Sequence, residues 1–387
     1  VCSQIVEEGI CSMEDVDRGA KVGLRWTIGP FELANRIGVS EASRMAREYA
    51  ELAGLEIPEW FSGRTEPFEF SYVDVGVDER GIATVLINRP EAMNALNVTV
   101  VSQLGDAIEG LNSRSDVSTI VLEGAGKAFV AGADVKFFVD KIEEGSFSEI
   151  EDFTKDGHRV LDLIEGSPHT TIALTTGLAL GGGLELALSC DYRVGTEKTM
   201  LRFPETSIGI YPGLGGTQRA TRVCGIEAAR FAVLAGNFMD AGAASALGLI
   251  THLVDASDVT GTVREISSTG KPANKYPGEP SDPSHPVAAM SKAFYSDSNM
   301  GAILSGEAPE GFDPEERNVA RQMKSLSRAA PVSVRLASDL LDKALVTDLQ
   351  AGLQLELDAL EEIFATKDAR EGLSALVEGR RPEYTGS

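Results

Sequence analysis

Two kinds of apolar spacing divide this chain. Before about residue 66 the apolar positions fall three and four apart, most clearly from Ser40 to Ala53, the spacing of helices with one buried face. They predict a mostly helical segment with joints at Gly23 and Gly29-Pro30, followed by a linker from Ile57 to Pro67. From Phe68 the spacing changes. Val73, Val75 and Val77, then the nearly continuous run Ile82 to Ile87, flank Asp78-Glu79-Arg80-Gly81 and predict a hairpin. A helix over Val98 to Leu111 and a strand over Thr119 to Leu122 follow. Next come a glycine-bearing loop over Gly124 to Gly132 and a helix over Ile150 to Ile164. A strand over Thr171 to Thr175 then leads through Gly181-Gly182-Gly183 into a helix ending at Ser189, and a strand over Asp191 to Gly195 closes the series. Strand, loop and helix in repeated order predict an α/β core with sites at the strand-to-helix turns. Residues 256–314 turn to Ser, Pro, Gly and Asp, and the expectation is an insertion with one short helix over His285 to Tyr295 and some mobile stretches. Residues Ala329 to Glu378 predict two or three packing helices. The expected organisation is therefore a helical piece over 1–66 and a larger domain over 67–387, with 256–314 inserted into the second.

Length and composition agree with this division. The chain has 387 residues, more than one typical core, and its 43% apolar residues are ample for burial. A net charge of −24 opposes nucleic acid and anionic membrane as partners, so any anionic ligand needs a local basic patch. With 12 lysines against 23 arginines and acids spread along the whole length, the surface fits adaptation to high salt or an ordinary acidic enzyme equally well. No apolar run nears the roughly 20 residues of a membrane span, and the first residues lack a signal-peptide pattern, so a cytoplasmic location is expected. Cys2, Cys11, Cys190 and Cys224 form no C-x-x-C pair, and buried thiols are expected. His158, His169, His252 and His285 show no metal-ligand spacing, so no metal site is expected.

The segment LALGGGLELALSCD, Leu178 to Asp191, is the most informative. Successive glycines let a backbone approach a ligand closely, and the helix after them offers its first N–H groups to an anion. Glu185, in the first turn of that helix, stands among leucines and alanine, where an unpartnered carboxylate is costly. A plainer reading makes the glycines a packing device and Glu185 a partner of the helix dipole; the segment alone leaves both open. Twenty residues on, Glu205 lies in FPETSIGIYPGLGGTQR, before a second glycine-rich turn. Two such glutamates could face one pocket as an acid/base pair. The loop KAFVAGADVK, Lys127 to Lys136, places small residues where an N–H can point into a cavity, or is a plain connection.

The segments NRPEAMNALN (Asn88 to Asn97), AFVAGADVK, ALGGGLELALSCD, PETSIGIYPGLGGTQR and EGLSALVEGRRPEY (Glu371 to Tyr384), in this order and spacing, resemble the enoyl-CoA hydratase/isomerase, or crotonase, family. The resemblance runs from about Phe68 to the C-terminus. It implies a crotonase-like spiral of ββα units with a helical C-terminal region, here preceded by a small all-α segment, and assembly as a trimer or a dimer of trimers. It implies an acyl-CoA substrate and no cofactor beyond the coenzyme A that the substrate carries. By the same resemblance Ala133 and Gly182 supply the oxyanion-hole N–H groups, and Glu185 and Glu205 are the catalytic pair of a hydratase, without assigning which is protonated at rest. Ala92, Ala95, Leu96, Ala131, Asp134, Val135 and Lys136 match positions along the CoA groove; the ordinary reading of Lys136 is a solvated side chain. Phe137, Phe138 and the helix near Phe153 are expected to wall the acyl pocket. Enoyl-CoA isomerisation or thioester hydrolysis on the same oxyanion hole is the nearest alternative, and a non-catalytic CoA-binding subunit the second.

EDVDRGAKVGLRWTIGPFELANRIG, Glu14 to Gly38, resembles the end of the C-terminal domain of 3-hydroxyacyl-CoA dehydrogenases. No G-x-G-x-x-G follows a strand, and the His/Glu pair of those enzymes has no counterpart. With the opening Val, this implies the C-terminal part of a longer dehydrogenase/hydratase fusion, acting in fatty-acid β-oxidation or a related pathway, and no dehydrogenase activity from this chain alone.

Overall fold

A computed structural model describes all 387 residues, and the chain divides into two compact units, Val1–Tyr72 and Val73–Ser387. The first unit is all helical: α1 (Cys2–Glu7), α2 (Met13–Arg18), α3 (Pro30–Ile37), α4 (Val39–Ala53) and α5 (Glu59–Ser62). Its core is Phe31, Ala34, Val39 and Phe68, with Trp60 and Phe61 packed against them. Phe68 also exchanges two hydrogen bonds with the Asn35 side chain on α3, at 2.7 and 2.8 Å, and so belongs to the helical unit. The change of unit therefore falls six residues later than the composition suggests. Asp17 on α2 caps α3 from outside it, accepting the Phe31 and Glu32 N–H groups at 2.8 Å each. This satisfies orphan donors that Pro30 and Gly29 at the helix start do not.

The second unit opens with the expected hairpin, β1 (Val73–Val77) antiparallel to β2 (Ile82–Ile87), Val73 opposite Ile87. Then come α6 (Val98–Asn112), capped by Asn97, β3 (Thr119–Gly124), β4 (Ala128–Ala131), α7 (Val135–Glu144) and α8 (Phe147–Glu165). β5 (Thr170–Thr175), β6 (Leu178–Leu180) and α9 (Gly182–Ser189) follow, then β7 (Tyr192–Gly195), β8 (Met200–Arg202), α10 (Gly216–Cys224) and α11 (Ile226–Leu234). After α11 lie β9 (Met239–Asp240), α12 (Ala241–Ala246) and β10 (His252–Leu253). The strands alternate between two sheets, ordered β1-β2-β3-β5-β7-β10 and β4-β6-β8-β9. β3, β5 and β7 pair in parallel in the first sheet, and β4, β6 and β8 in the second. Each turn of chain thus adds one strand to each sheet and one or two helices, a spiral of ββα units. β5 is buried at all six positions, so its sequence is a continuous apolar and threonine run rather than an alternation.

The stretch 256–314 is more structured than its composition suggests. It forms α13 (Val259–Thr269), α14 (Pro286–Phe294) and α15 (Met300–Leu304), where one helix was expected. Val263 and Ile266 of α13 pack on Val121, Ile172 and Val194 of the large sheet. The segment after α13 is pinned by Lys271 to the Ser167 carbonyl and by Lys275 to the Ser189 carbonyl, both at 2.6 Å. The C-terminal region is α16 (Arg317–Leu326), α17 (Pro331–Lys343), α18 (Leu349–Asp358), α19 (Leu360–Phe364) and α20 (Lys367–Glu378), four helices after Ala329 rather than two or three. No helix is long and apolar enough to cross a membrane. Cys190 and Cys224 are buried as expected, whereas Cys2 and Cys11 are half-buried.

Candidate active site

The triple glycine is required by contacts on both sides. Gly181 has φ +47°, a left-handed backbone that favours glycine, and a Cβ there would overlap Glu205 Oε1. A Cβ on Gly183 would overlap the Val130 carbonyl, so glycine lets α9 lie directly on β4. The helix begins at Gly182, whose N–H has no acceptor within it. A Cβ on Gly182 would stand 3.8 Å from the Ala133 nitrogen, which brings the two residues close together. Ala133 is held by a parallel bridge to Leu96: the Leu96 N–H donates to Gly132 O at 2.9 Å and the Asp134 N–H to Leu96 O at 2.8 Å. In a parallel bridge the bonds flank the central residue, so the Ala133 N–H points away from Leu96.

Every residue of α9 is buried, and Glu185 is 2% exposed. Its Oε1 accepts the N–H groups of Leu214 and Gly216, both at 2.7 Å, from the turn that opens α10. Its Oε2 has no protein donor. Burial pushes its pKa up to about 7, opposed by these N–H groups and by the Arg219 guanidinium. Glu205 starts a 3₁₀ turn, Glu205–Ile208, and is 6% exposed, its Oε2 without any hydrogen-bond partner. Burial and the neighbouring Glu185 push its pKa well above the carboxylate range. Two carboxyls so placed do not both ionise: the donors favour charge on Glu185 and the proton on Glu205.

Both glutamates, Gly182 and Ala133 border one cavity of about 450 Å³, as do Ala131 and Val135. Of the other residues expected along the CoA groove, Leu96 is buried and Ala95 offers its carbonyl to Arg89 at 3.3 Å. Ala92 donates no side chain to the cavity, Asp134 pairs with Arg89 at 3.2 Å, and Lys136 is exposed; none of these five borders the cavity. Phe138 and Phe153 wall it, while Phe137 stands behind, its ring 5.1 Å from that of Phe153. Sequence reasoning missed the part of the wall given by Leu360, Phe364 and Leu373 of α19 and α20, with Phe364 stacked on Phe138 at 5.4 Å. It also missed Arg202 and Arg380, which border the cavity. The only available signal was the apolar face of the last two helices, which reads equally well as packing. No group of three or more His, Cys, Asp or Glu side chains is arranged to hold a metal ion.

Comparison with known proteins places the chain in a family. Residues 82–386 match the family described as Enoyl-CoA hydratase/isomerase, and residues 2–62 match the 3-hydroxyacyl-CoA dehydrogenase C-terminal domain. The putative enoyl-CoA hydratase/isomerase YngF of Bacillus subtilis is 32% identical over 311 residues, 80% of this chain and 96% of that protein. The crotonyl-CoA hydratase of Syntrophomonas wolfei is 30% identical over 79% of this chain and 95% of its own length. Among solved structures, an enoyl-CoA hydratase from Rhodobacter sphaeroides superposes with a TM-score of 0.70 over 82% of this chain and 93% of that one, at 22% identity, a likeness of fold. With its spiral core, its paired backbone donors and this extent of match, the chain belongs to the enoyl-CoA hydratase/isomerase family, its first residues matching the C-terminal domain of 3-hydroxyacyl-CoA dehydrogenases.

Proposed function

We propose that this chain reversibly hydrates trans-2-enoyl-CoA to 3-hydroxyacyl-CoA in fatty-acid β-oxidation or a related acyl-CoA pathway. The observation that carries the reading is the meeting of two unlike carboxyls and two free backbone donors on one cavity. The thioester oxygen sits against the N–H groups of Ala133 and Gly182, the second strengthened by the dipole of α9. Glu185, ionised and with Oε2 unoccupied, takes a proton from water as the water oxygen bonds to C3. The π electrons of the C2–C3 bond move to the thioester oxygen as an enolate, which each N–H stabilises by about 3 kcal/mol. Glu205 then delivers its proton to C2. Glu185 ends protonated and Glu205 ionised, and exchange with solvent resets the pair.

An isomerase needs only one well-placed base, so a second carboxyl held neutral favours hydration over isomerisation. No cofactor enters this scheme apart from the coenzyme A of the substrate, and turnover is expected to survive dialysis against EDTA. A trimer or dimer of trimers in the cytoplasm completes the proposal, and light scattering reads the assembly directly. Loss of the conjugated thioester absorbance on adding crotonyl-CoA tests the function; unchanged absorbance at micromolar enzyme overturns it and favours a CoA-binding subunit.

A further inference from the structure

The turn from Gly213 to Thr217 is anchored at every peptide. His158 on α8 bonds the Gly213 carbonyl at 2.7 Å; since a carbonyl only accepts, His158 carries its proton on Nε2. Arg219 donates to the Leu214 carbonyl at 3.0 Å and is itself paired with Glu165 at 2.8 Å. Four successive N–H groups then alternate between two carboxylates. Those of Leu214 and Gly216 go to Glu185, as described; those of Gly215 and Thr217 go to Glu356 on α18, at 2.6 and 3.2 Å. The Thr217 hydroxyl donates to the same Glu356 oxygen, and the Tyr211 hydroxyl to the Glu356 carbonyl. Glu356 is fully buried, does not border the cavity, and has no role in the hydration scheme.

We infer that Glu356 is a positioning residue for catalysis: by holding Gly215 and Thr217 it fixes the intervening N–H groups on Glu185 Oε1, keeping Oε2 turned to the attacking water. The inference rests on the assignment of Glu185 as base. The geometry leaves little alternative for this side chain. A buried carboxylate facing a helix start would satisfy the turn alone, yet here the helix start is divided evenly between it and the catalytic glutamate. Left-handed Gly215, φ +94°, is what turns alternate N–H groups in opposite directions. The charged and titratable groups facing Glu356 are Glu185 from α9, His158 at 4.0 Å from α8, Tyr211 from the turn and Arg219 from α10. Burial and Glu185 push the Glu356 pKa up to about 8, while the Gly215 and Thr217 donors pull it down.

The test compares Glu356→Gln and Thr217→Val with the wild-type chain in crotonyl-CoA hydration. Wild-type turnover is measured first, and its absence would fault the proposed function rather than the clamp. For Glu356→Gln, kcat is expected to fall at least about 10-fold with KM changed less than about 3-fold, and the acid limb of the kcat profile, which reports Glu185, is displaced by about half a pH unit or more. Thr217→Val keeps every backbone donor and removes the hydroxyl that donates to Glu356 and accepts from Gln218, whose amide retains the Leu340 carbonyl, and a smaller displacement of the same limb is expected. Deuterium exchange over residues 211–217 reads the clamp without activity and should quicken in both variants. A merely structural role would lower stability and leave the limb in place. Wild-type kcat and acid limb in a folded Glu356→Gln chain overturn the inference; if that variant does not fold, an unmoved limb and unchanged exchange in Thr217→Val overturn it.

Discussion

Arg89 and Asp134 join the two loops that bracket the oxyanion donor. The guanidinium of Arg89, in the segment before α6, reaches the Asp134 carboxylate at 3.2 Å through both terminal nitrogens, and one of these also bonds the Ala95 carbonyl. Asp134 directly follows Ala133, so this half-buried pair holds the loop beside the Ala133 N–H, the proposed oxyanion donor. Its carboxylate is spent on position. Asp134→Ala is expected to lower kcat about 10-fold, less than the 100-fold or more of losing an oxyanion donor outright, because the Leu96 bridge remains. Steady-state kinetics with crotonyl-CoA would show it; an unchanged kcat would mean that the bridge alone suffices.

Replacing either carboxyl with an amide should be severe and unequal in kind. Glu185→Gln keeps an oxygen for Leu214 and Gly216 but removes the base, and Glu205→Gln removes the acid. Each is expected to cut hydration by at least about 100-fold. Only Glu205→Gln should bind a saturated acyl-CoA at wild-type affinity, since in the proposed resting state its side chain carries no charge. Calorimetric titration with butyryl-CoA distinguishes the two.

The pH dependence follows from opposite protonation states in one cavity. Glu185, pushed up to about 7, must be ionised, so kcat rises as pH climbs through that region. Glu205, raised further by burial and by the charge on Glu185, must stay protonated, so kcat falls again at higher pH. A bell with its acid limb near neutrality is expected from a profile taken between about pH 5 and 10. Activity flat from pH 5 to 8 would contradict the assignment of Glu185 as base.

Gly183 tests the packing of the site rather than its chemistry. A methyl group there meets the Val130 carbonyl, so Gly183→Ala must push α9 off β4 and carry Gly182 and Glu185 with it. Thermal unfolding should show destabilisation of a few kcal/mol, about 2 or more, of the kind overpacking brings, together with loss of turnover.

Much of this was legible in the sequence because strong patterns coincide with local structure. The hairpin of β1 and β2 and the glycine-to-helix turn before Glu185 are readable from neighbouring residues alone. β4 and β6 were not, since three or four residues between glycines show no period, and their pairing is with strands far along the chain. Glu356 lies in GLQLELD, where an acid between leucines looks like the solvent face of an amphipathic helix. Only the approach of α10 reveals it as buried. The aromatic wall from Phe364 was hidden for the same reason: its partner Phe138 is more than two hundred residues away.

The grip of Asn35 on Phe68 bears on how this protein can be taken apart. A cut placed by composition at the end of the Pro-rich passage would leave Phe68 with the larger fragment, removing one ring from the Phe31, Trp60 and Phe61 cluster and exposing it as an apolar tail on the other piece. A protease site or gene boundary set after Tyr72 instead follows the division of the chain into its two compact units and keeps Phe68 with its cluster.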